Sequence, residues 1–333
     1  MAFQASSLRL LSVLGLLALA ACGATPTAVD RPLDADPPLT DTPPAAKKNP
    51  ELDQGAELVK GGKFAEAIPH LKAALDVDPK SANAAFYLAL STEQTGGDKA
   101  EAEHLYRQAL TFDPGLSEAA QNLAAMYLTD PARPDDAISV LEPALKSAPD
   151  DAALNANLGF AYGLKGDVDR ASAAYERSLK KDPTVQTEFA YGTMLSENKR
   201  ADAAVPHLLK AAAGLNDDPA SLATIARMLG PGKAFDDCVR LLDRAITLKP
   251  GIAELLVRRG VCKHELKKEK EAAEDFAAAL KADPKFQAAH YYLGMSLLAQ
   301  SKKTEGRKEL KKAVDLGKET PIGKQAQQKL DGK

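Results

Sequence analysis

One spacing governs this sequence. From Ala152 to Val185 the chain reads Leu158-Gly159, Tyr162, Gly166, Ala171, Tyr175, Leu179 and Asp182-Pro183. From Ala253 to Phe286 the pattern returns as Gly260, Ala272, Phe276, Ala279-Leu280 and Asp283-Pro284, again over 34 residues. A period of this length predicts stacked helix-turn-helix units, not one globular core. Small side chains at positions 8 and 20 of each copy let two helices of a hairpin cross closely. A large residue at 24 fills the space beside the crossing, and position 27 stays small where the next hairpin presses. Proline at 32 cannot continue a helix and forces the turn.

The pattern extends both ways. The first copy has Gly55, Ala67, Leu71, Ala74 and Pro79; the second has Ala89, Ala102, Tyr106, Ala109 and Pro114, with an extra residue at Gly96-Gly97. The third has Ala124, Tyr127, Ala137, Leu141, Ala144 and Pro149, with its extra residue between Pro131 and Pro134. The fifth, around Gly192, Ala204, Leu208 and Ala211, ends late at Pro219, and the sixth carries Cys238 where alanine is usual. The eighth has Gly294, Gly306, Leu310 and Ala313.

This signature resembles the tetratricopeptide repeat. The resemblance implies an all-α solenoid, a right-handed superhelix of about eight repeats over residues 48–318, closed by a polar capping helix within 319–333. In that family the first helices line a concave face, and stability is close to a nearest-neighbour sum. Position 4, often Trp in the family, holds Glu51, Ala85, Ala120, Asn155, Glu188, Leu222, Leu256 and His290; that position tolerates other residues.

The N-terminus reads as an address. Arg9 precedes an apolar run from Leu10 to Leu19, about half of what spans a bilayer, which is a signal-peptide layout over residues 1–21. Leu19-Ala20-Ala21-Cys22 is similar to the lipobox of bacterial lipoproteins, in which the cysteine thiol takes a diacylglyceryl group (palmitate among the acyl chains) and becomes the new N-terminus. Gly23 follows, not Asp, so the resemblance implies an outer-membrane anchor facing the periplasm. Several acyl chains hold more firmly than one, at about 0.8 kcal/mol per buried methylene. Residues 22–47 then form a tether rich in Pro, Thr and Asp, with too little apolar surface to bury a core. At about 3.1 Å per residue it reaches up to roughly 75 Å.

Little else points to chemistry. Aromatics make up 5% of the chain, Trp is absent, and the net charge is −3 with Lys and Glu interspersed. That mixture reads as solvated helix faces and offers nucleic acid no basic stripe. His70, His104, His207, His264 and His290 form no metal-type pair on a helix turn. His70 and His207 share a repeat position, which repeat ancestry explains. No nucleophile elbow, phosphate loop or calcium loop occurs, so the expectation is a binding scaffold without cofactor or metal, not an enzyme. Cys238 and Cys262 fall on neighbouring antiparallel helices at similar height. They read equally as a disulfide in an oxidising compartment or as two buried small hydrophobes; a Cα separation beyond about 7 Å excludes the bridge.

The expected partner surface is the concave groove, at repeat positions 2, 5, 6, 9 and 12. Those positions include Phe86, Leu90, Gln121, Asn122, Asn157, Phe160, Phe189, Thr193, Arg227, Arg258, Tyr291, Tyr292 and Met295. Asn side chains can clamp a peptide backbone, and Arg can hold a carboxylate bidentately. The set does not reproduce the Lys/Asn/Arg pattern of repeats that hold chaperone C-termini. Lipid-anchored proteins of similar architecture include pilotins of type IV pili, and others in motility, peptidoglycan-enzyme scaffolding and polysaccharide export. The expected role is therefore an envelope adaptor holding a protein or peptide segment. The alternative is a glycan- or peptidoglycan-binding module, against which the absence of Trp counts.

Overall fold

The computed structural model describes residues 49–129, 131–215 and 218–332. The address and tether, Cys22 included, lie outside these residues. Among the described residues there are 17 α-helices and no strand. They form two compact units, one up to Thr187 and one from Glu188.

In the first unit α1 (Pro50–Lys60) pairs with α2 (Phe64–Val77), α3 (Ala82–Gln94) with α4 (Lys99–Phe112), α5 (Ser117–Leu128) with α6 (Pro134–Ser147), and α7 (Ala152–Leu164) with α8 (Val168–Lys181). Helix α9 (Val185–Glu197) begins in the last residues of the first unit and pairs from Glu188 on with α10 (Ala201–Gly214); the second unit continues with α11 (Pro219–Leu229) and α12 (Phe235–Leu248), α13 (Ala253–Glu265) and α14 (Glu269–Ala282), α15 (Gln287–Ala299) and α16 (Lys303–Leu316). A last helix, α17 (Pro321–Leu330), packs on α16 and α15.

Local chemistry sets the ends. Ser81, Asp98, Asp151, Asp167 and Asp218 cap helix N-termini, each accepting from a backbone N–H in the first turn. Asp78, Asp113, Asp182 and Asp283 are extended at helix C-termini. The proline after each disfavours another helical residue there.

The crossings are as tight as the spacing predicts. A Cβ on Gly159 would lie 2.8 Å from Tyr175 Cγ, and one on Gly260 would lie 2.6 Å from Phe276 Cε1. Position 8 is thus small because position 24 of the same hairpin already fills that space. Tyr106, Tyr175, Phe276, Leu71, Leu141 and Leu208 occupy position 24 and are fully buried.

The turn inside seven of the eight hairpins places a left-handed residue at position 15, the exception being the third, which has Pro131 there. In the first unit Gly62, Gly96 and Gly166 supply it; in the second Lys199, Lys233, Lys267 and Ser301 do, at φ 62°, 54°, 63° and 65°. A left-handed L-residue costs roughly 1–2 kcal/mol, offset in part because glycine loses more entropy on folding. Lys267 is exposed. Lys267→Gly is therefore expected to raise the unfolding free energy by about 0.5–1 kcal/mol, measured by urea titration; a drop would show that its stem packs usefully.

Position 4 proves chemically specific. Glu51 accepts a 2.6 Å hydrogen bond from His70 Nδ1, nineteen residues on, and Glu188 accepts one of 2.6 Å from His207. In the eighth hairpin the roles exchange: His290 holds position 4 and donates to Glu309 at 2.6 Å. The shared setting of His70 and His207 is thus the same intra-hairpin pin, made separately in each unit. Asn155 pins its own hairpin by donating to the carbonyls of Pro149 and Asp151 while accepting from Arg177 Nε at 2.9 Å.

The Glu309 pin predicts a pH effect. Burial alone would raise this carboxyl, but hydrogen bonds from Lys312 and His290 outweigh it and hold it below its usual range. A carboxyl depressed in the folded state contributes stability above its unfolded pKa, lost as pH falls through the folded one. The melting temperature should therefore fall on acidification through the carboxylate range, and Glu309→Gln should flatten part of that slope. An unchanged slope would count against the pin.

Candidate functional site

Repeat positions 5, 6 and 9 of the first helices bring the expected groove residues to one side of each hairpin, but not all reach solvent. In the first unit Phe86 is only 8% exposed, its ring 5.1 Å from Tyr87 and 6.2 Å from Tyr106. It supports the wall and is not part of the contact surface. Gln121 donates to both carboxylate oxygens of Asp151 at 3.3 Å, and Asn122 donates to the Tyr106 hydroxyl at 3.3 Å. Both carboxamides are therefore committed to neighbouring helices. Leu90, Asn157 and Phe160 remain half-buried. The Asn157 carboxamide makes no hydrogen bond among the described residues, which leaves it free for a peptide backbone.

In the second unit Phe189 and Tyr291 are each 9% exposed, so they too are packing residues. Tyr292 stacks on Phe276 at 5.7 Å, and Met295 packs into the cluster of Tyr291, Leu310 and Ala326 beneath α17. The large rings go inside because the thin layer between adjacent first helices has few other apolar fillers. Thr193 is half-buried, and its Oγ1 is buried without a hydrogen-bond partner.

Arg227 and Arg258 do come together. Both line a cleft of about 350 Å³ between α11 and α13, with Asp218, Thr224, Lys249 and Glu254 around it. Arg227 is exposed, while Arg258 is steadied by Glu254 one turn away, Nη2 to Oε1 at 2.5 Å. The Asp218 carboxylate is occupied by the backbone N–H groups of Ala220 and Ser221. The cleft is lined by three cations and two carboxylates, Glu254 paired with Arg258 and Asp218 capping α11, an excess of one positive charge that suits an anionic group. Lys249 was not anticipated; its place just before Pro250, at the end of the repeat, was the available signal.

Sequence reasoning also missed the side formed by the second helices of the first unit. Tyr162 donates to Glu142 Oε1 at 2.5 Å, and the Arg170 guanidinium lies 4.3 Å above its ring. One hairpin earlier, Tyr127 donates to Glu103 at 3.2 Å under Arg133 at 4.5 Å, with Arg133 also paired to Glu103. Burial raises both phenols, and Glu103 is held low because Arg133 and Arg107 outweigh its desolvation. These repeated Tyr–Glu–Arg groups latch successive hairpins. A second cleft of about 360 Å³ opens beside Tyr162, among Glu142, Lys146, Arg170 and Arg177.

One arrangement looks catalytic by composition. His264 Nδ1 lies 2.7 Å from Glu269 and 3.4 Å from Ser296 Oγ. Both contacts use the same ring nitrogen, so the imidazole cannot relay a proton between them, and Ser296 is fully buried. Cys238 and Cys262 are joined by a disulfide, with Cα atoms 6.3 Å apart.

Comparison with known proteins agrees with the geometry. Family models described as tetratricopeptide repeat match residues 52–117, 128–191, 253–286 and 270–321, together more than half of the chain. The E3 ubiquitin-protein ligase CHIP of Arabidopsis thaliana is 32% identical over 84 residues, which cover 25% of this chain and 30% of CHIP. The match thus spans less than a third of that relative. Among solved structures, PilF of Pseudomonas aeruginosa is similar with a TM-score of 0.50 at 21% identity, over 61% of this chain and 91% of PilF. YrrB, described as a repeat protein with an unusual peptide-binding site, gives 0.40 at 18% identity, over 67% of this chain and 97% of YrrB. With two-helix hairpins, tight crossings and these family matches in hand, the chain belongs to the tetratricopeptide-repeat family.

Proposed function

We propose that this chain is a lipid-anchored scaffold of the bacterial envelope. It holds an extended, acidic segment of another envelope protein against the first helices of its second unit. The observation that carries this reading is the cleft in which Arg227, Arg258 and Lys249 converge between α11 and α13. Arg forks match carboxylates bidentately, and the cleft lies between two successive first helices, where a segment laid across the repeats would meet it. The lipobox-like run ending at Cys22 supports the anchor, and Gly23 supports an outer-membrane location facing the periplasm. The Cys238–Cys262 bridge agrees with residence in an oxidising compartment. Assembly of a pilus, secretion, motility or polysaccharide-export machine is the setting such an anchored scaffold suits.

The test is site-specific photocrosslinking in cells from Thr224, beside the cleft, in the parent chain and in Arg227→Ala/Arg258→Ala. A discrete envelope-protein adduct that the double substitution abolishes supports the reading. Crosslinking to glycan alone, or an adduct indifferent to both arginines, overturns it. The anchor is tested separately by palmitate labelling, which Cys22→Ser should abolish.

A further inference from the structure

The net charge of −3 conceals a strong asymmetry, which corrects the picture of evenly mixed faces. Residues 49–151 carry 18 carboxylates against 8 Lys and Arg, whereas residues 301–333 carry 10 Lys and Arg against 5 carboxylates. The first stretch is the acidic run of hairpins α1–α6 and the second is α16 with α17.

The structure leaves both sets of charge presented to solvent. On α16, Lys303, Arg307 and Lys311 follow one another at i, i+4, i+8, beside the buried stripe of Gly306, Leu310, Ala313 and Val314. Lys308 stands next to them, Lys318 precedes α17 and Lys329 lies in its last turn. All six are exposed and have no ion-pair partner among the described residues. In the first unit, Asp53, Asp76, Glu101 and Glu118 are likewise exposed and without ion-pair partners among the described residues. Elsewhere the chain neutralises such charges locally, as in Arg170–Asp167, Arg240–Asp237 and Arg258–Glu254.

We propose that the basic face of α16–α17 docks on the acidic hairpins α1–α6 of a second copy of this chain. The argument for a second copy is charge complementarity: the counter-charge is carried by the same polypeptide, at −10 against +5 by residue count. Leu310, Ala313, Val314 and Ala326 of α16 and α17 are closed against α15, which leaves a mainly charged surface at this end with Leu316 as its one exposed large apolar side chain among the described residues. Two different patches meet in such a contact. It forms either head-to-tail, growing into chains or closed rings, or reciprocally across a two-fold axis with both patches of each copy engaged. It is also screened by salt, since the Debye length is about 10 Å at 0.1 M. This inference stands apart from the arginine cleft, and either can fail without the other.

The experiment uses the full chain carrying Cys22→Ser, which prevents acyl attachment, in sedimentation velocity over a concentration series. At about 20 mM salt the sedimentation coefficient should rise with concentration, and the midpoint should move upward about tenfold at about 300 mM salt. Association through apolar surface would not weaken with salt. Lys303→Glu/Arg307→Glu/Lys311→Glu should sediment as one species, and so should Asp76→Lys/Glu101→Lys/Glu118→Lys. An equimolar mixture of the two should associate again. If the charge-reversed chains lose helicity, the milder Lys303→Gln/Arg307→Gln/Lys311→Gln set must still weaken association at least about threefold. Concentration-independent sedimentation of the parent at low salt overturns the proposal. So does parent-like association of the basic-face variant, or failure of the mixture to associate. A parent that stays monomeric but binds phosphatidylglycerol vesicles through the same lysines overturns it too, and assigns the face to a lipid surface.

Discussion

Phe276→Ala is expected to lower the unfolding free energy by about 3–5 kcal/mol, the usual cost of emptying a phenylalanine site in a core. Its ring is fully buried, lies over Gly260, stacks on Tyr292 at 5.7 Å and contacts the cluster of Val257, Ala279 and Ala289. The hole would sit where three helices meet, α13, α14 and α15, and glycine at 260 offers no side chain to collapse into it. A repeat stack carries stability through nearest neighbours, so the loss should appear as early melting of the last two hairpins. Urea unfolding with hydrogen exchange reads both the magnitude and the place. Val77→Ala is the control: Val77 is 65% exposed, and its truncation should change stability by less than about 0.5 kcal/mol. A loss below about 1 kcal/mol for Phe276→Ala would contradict the packing described.

Asp275→Asn should cost about 2–3 kcal/mol, below the full range for breaking a buried ion pair because part of the network survives. The Asp275 carboxylate is buried between Arg259, which forks onto it through Nε at 2.9 Å and Nη2 at 2.5 Å, and Lys263 at 2.9 Å. The side chains of Arg259 and Lys263 are 19% and 13% exposed. Without the carboxylate, Arg259 keeps Asp243 at 2.7 Å, but Lys263 keeps only Glu271 at 3.9 Å. Adding Lys263→Met should recover part of the loss, because it removes the charge left unpaired in a dry site. Additive destabilisation in the double variant, measured by denaturant unfolding, would show that Lys263 is not coupled to Asp275.

Repeat signatures and folded form correspond closely where the reason is steric. Gly159 opposite Tyr175 and Gly260 opposite Phe276 are demands that one hairpin makes of itself, within nineteen residues or fewer, so periodicity exposes them. The candidate site was less legible. Arg227 and Arg258 share a cleft because successive first helices are adjacent, which the repeat spacing implies. Phe86, Phe189, Tyr291 and Tyr292 occupy the same nominal face yet turn inward. Repeat position says which face a side chain leaves from; it does not say whether a neighbouring helix already fills the space beyond.

The polar pins show the same boundary from the other side. Glu51 with His70, Glu188 with His207 and His290 with Glu309 recur at a separation of nineteen, so the pattern was present in the residues. Its meaning depended on seeing two antiparallel helices set those side chains 2.6 Å apart. The repeat period alone determined the all-α hairpin order, the small-residue crossings and the proline-marked turns, because each follows from contacts inside one unit of the period. Only the tertiary structure decided which groove residues stay open and which cations converge. It also decided that Asp275 lies between two cations and that Cys238 meets Cys262. Those outcomes depend on side chains from different helices competing for the same volume, which no single period encodes.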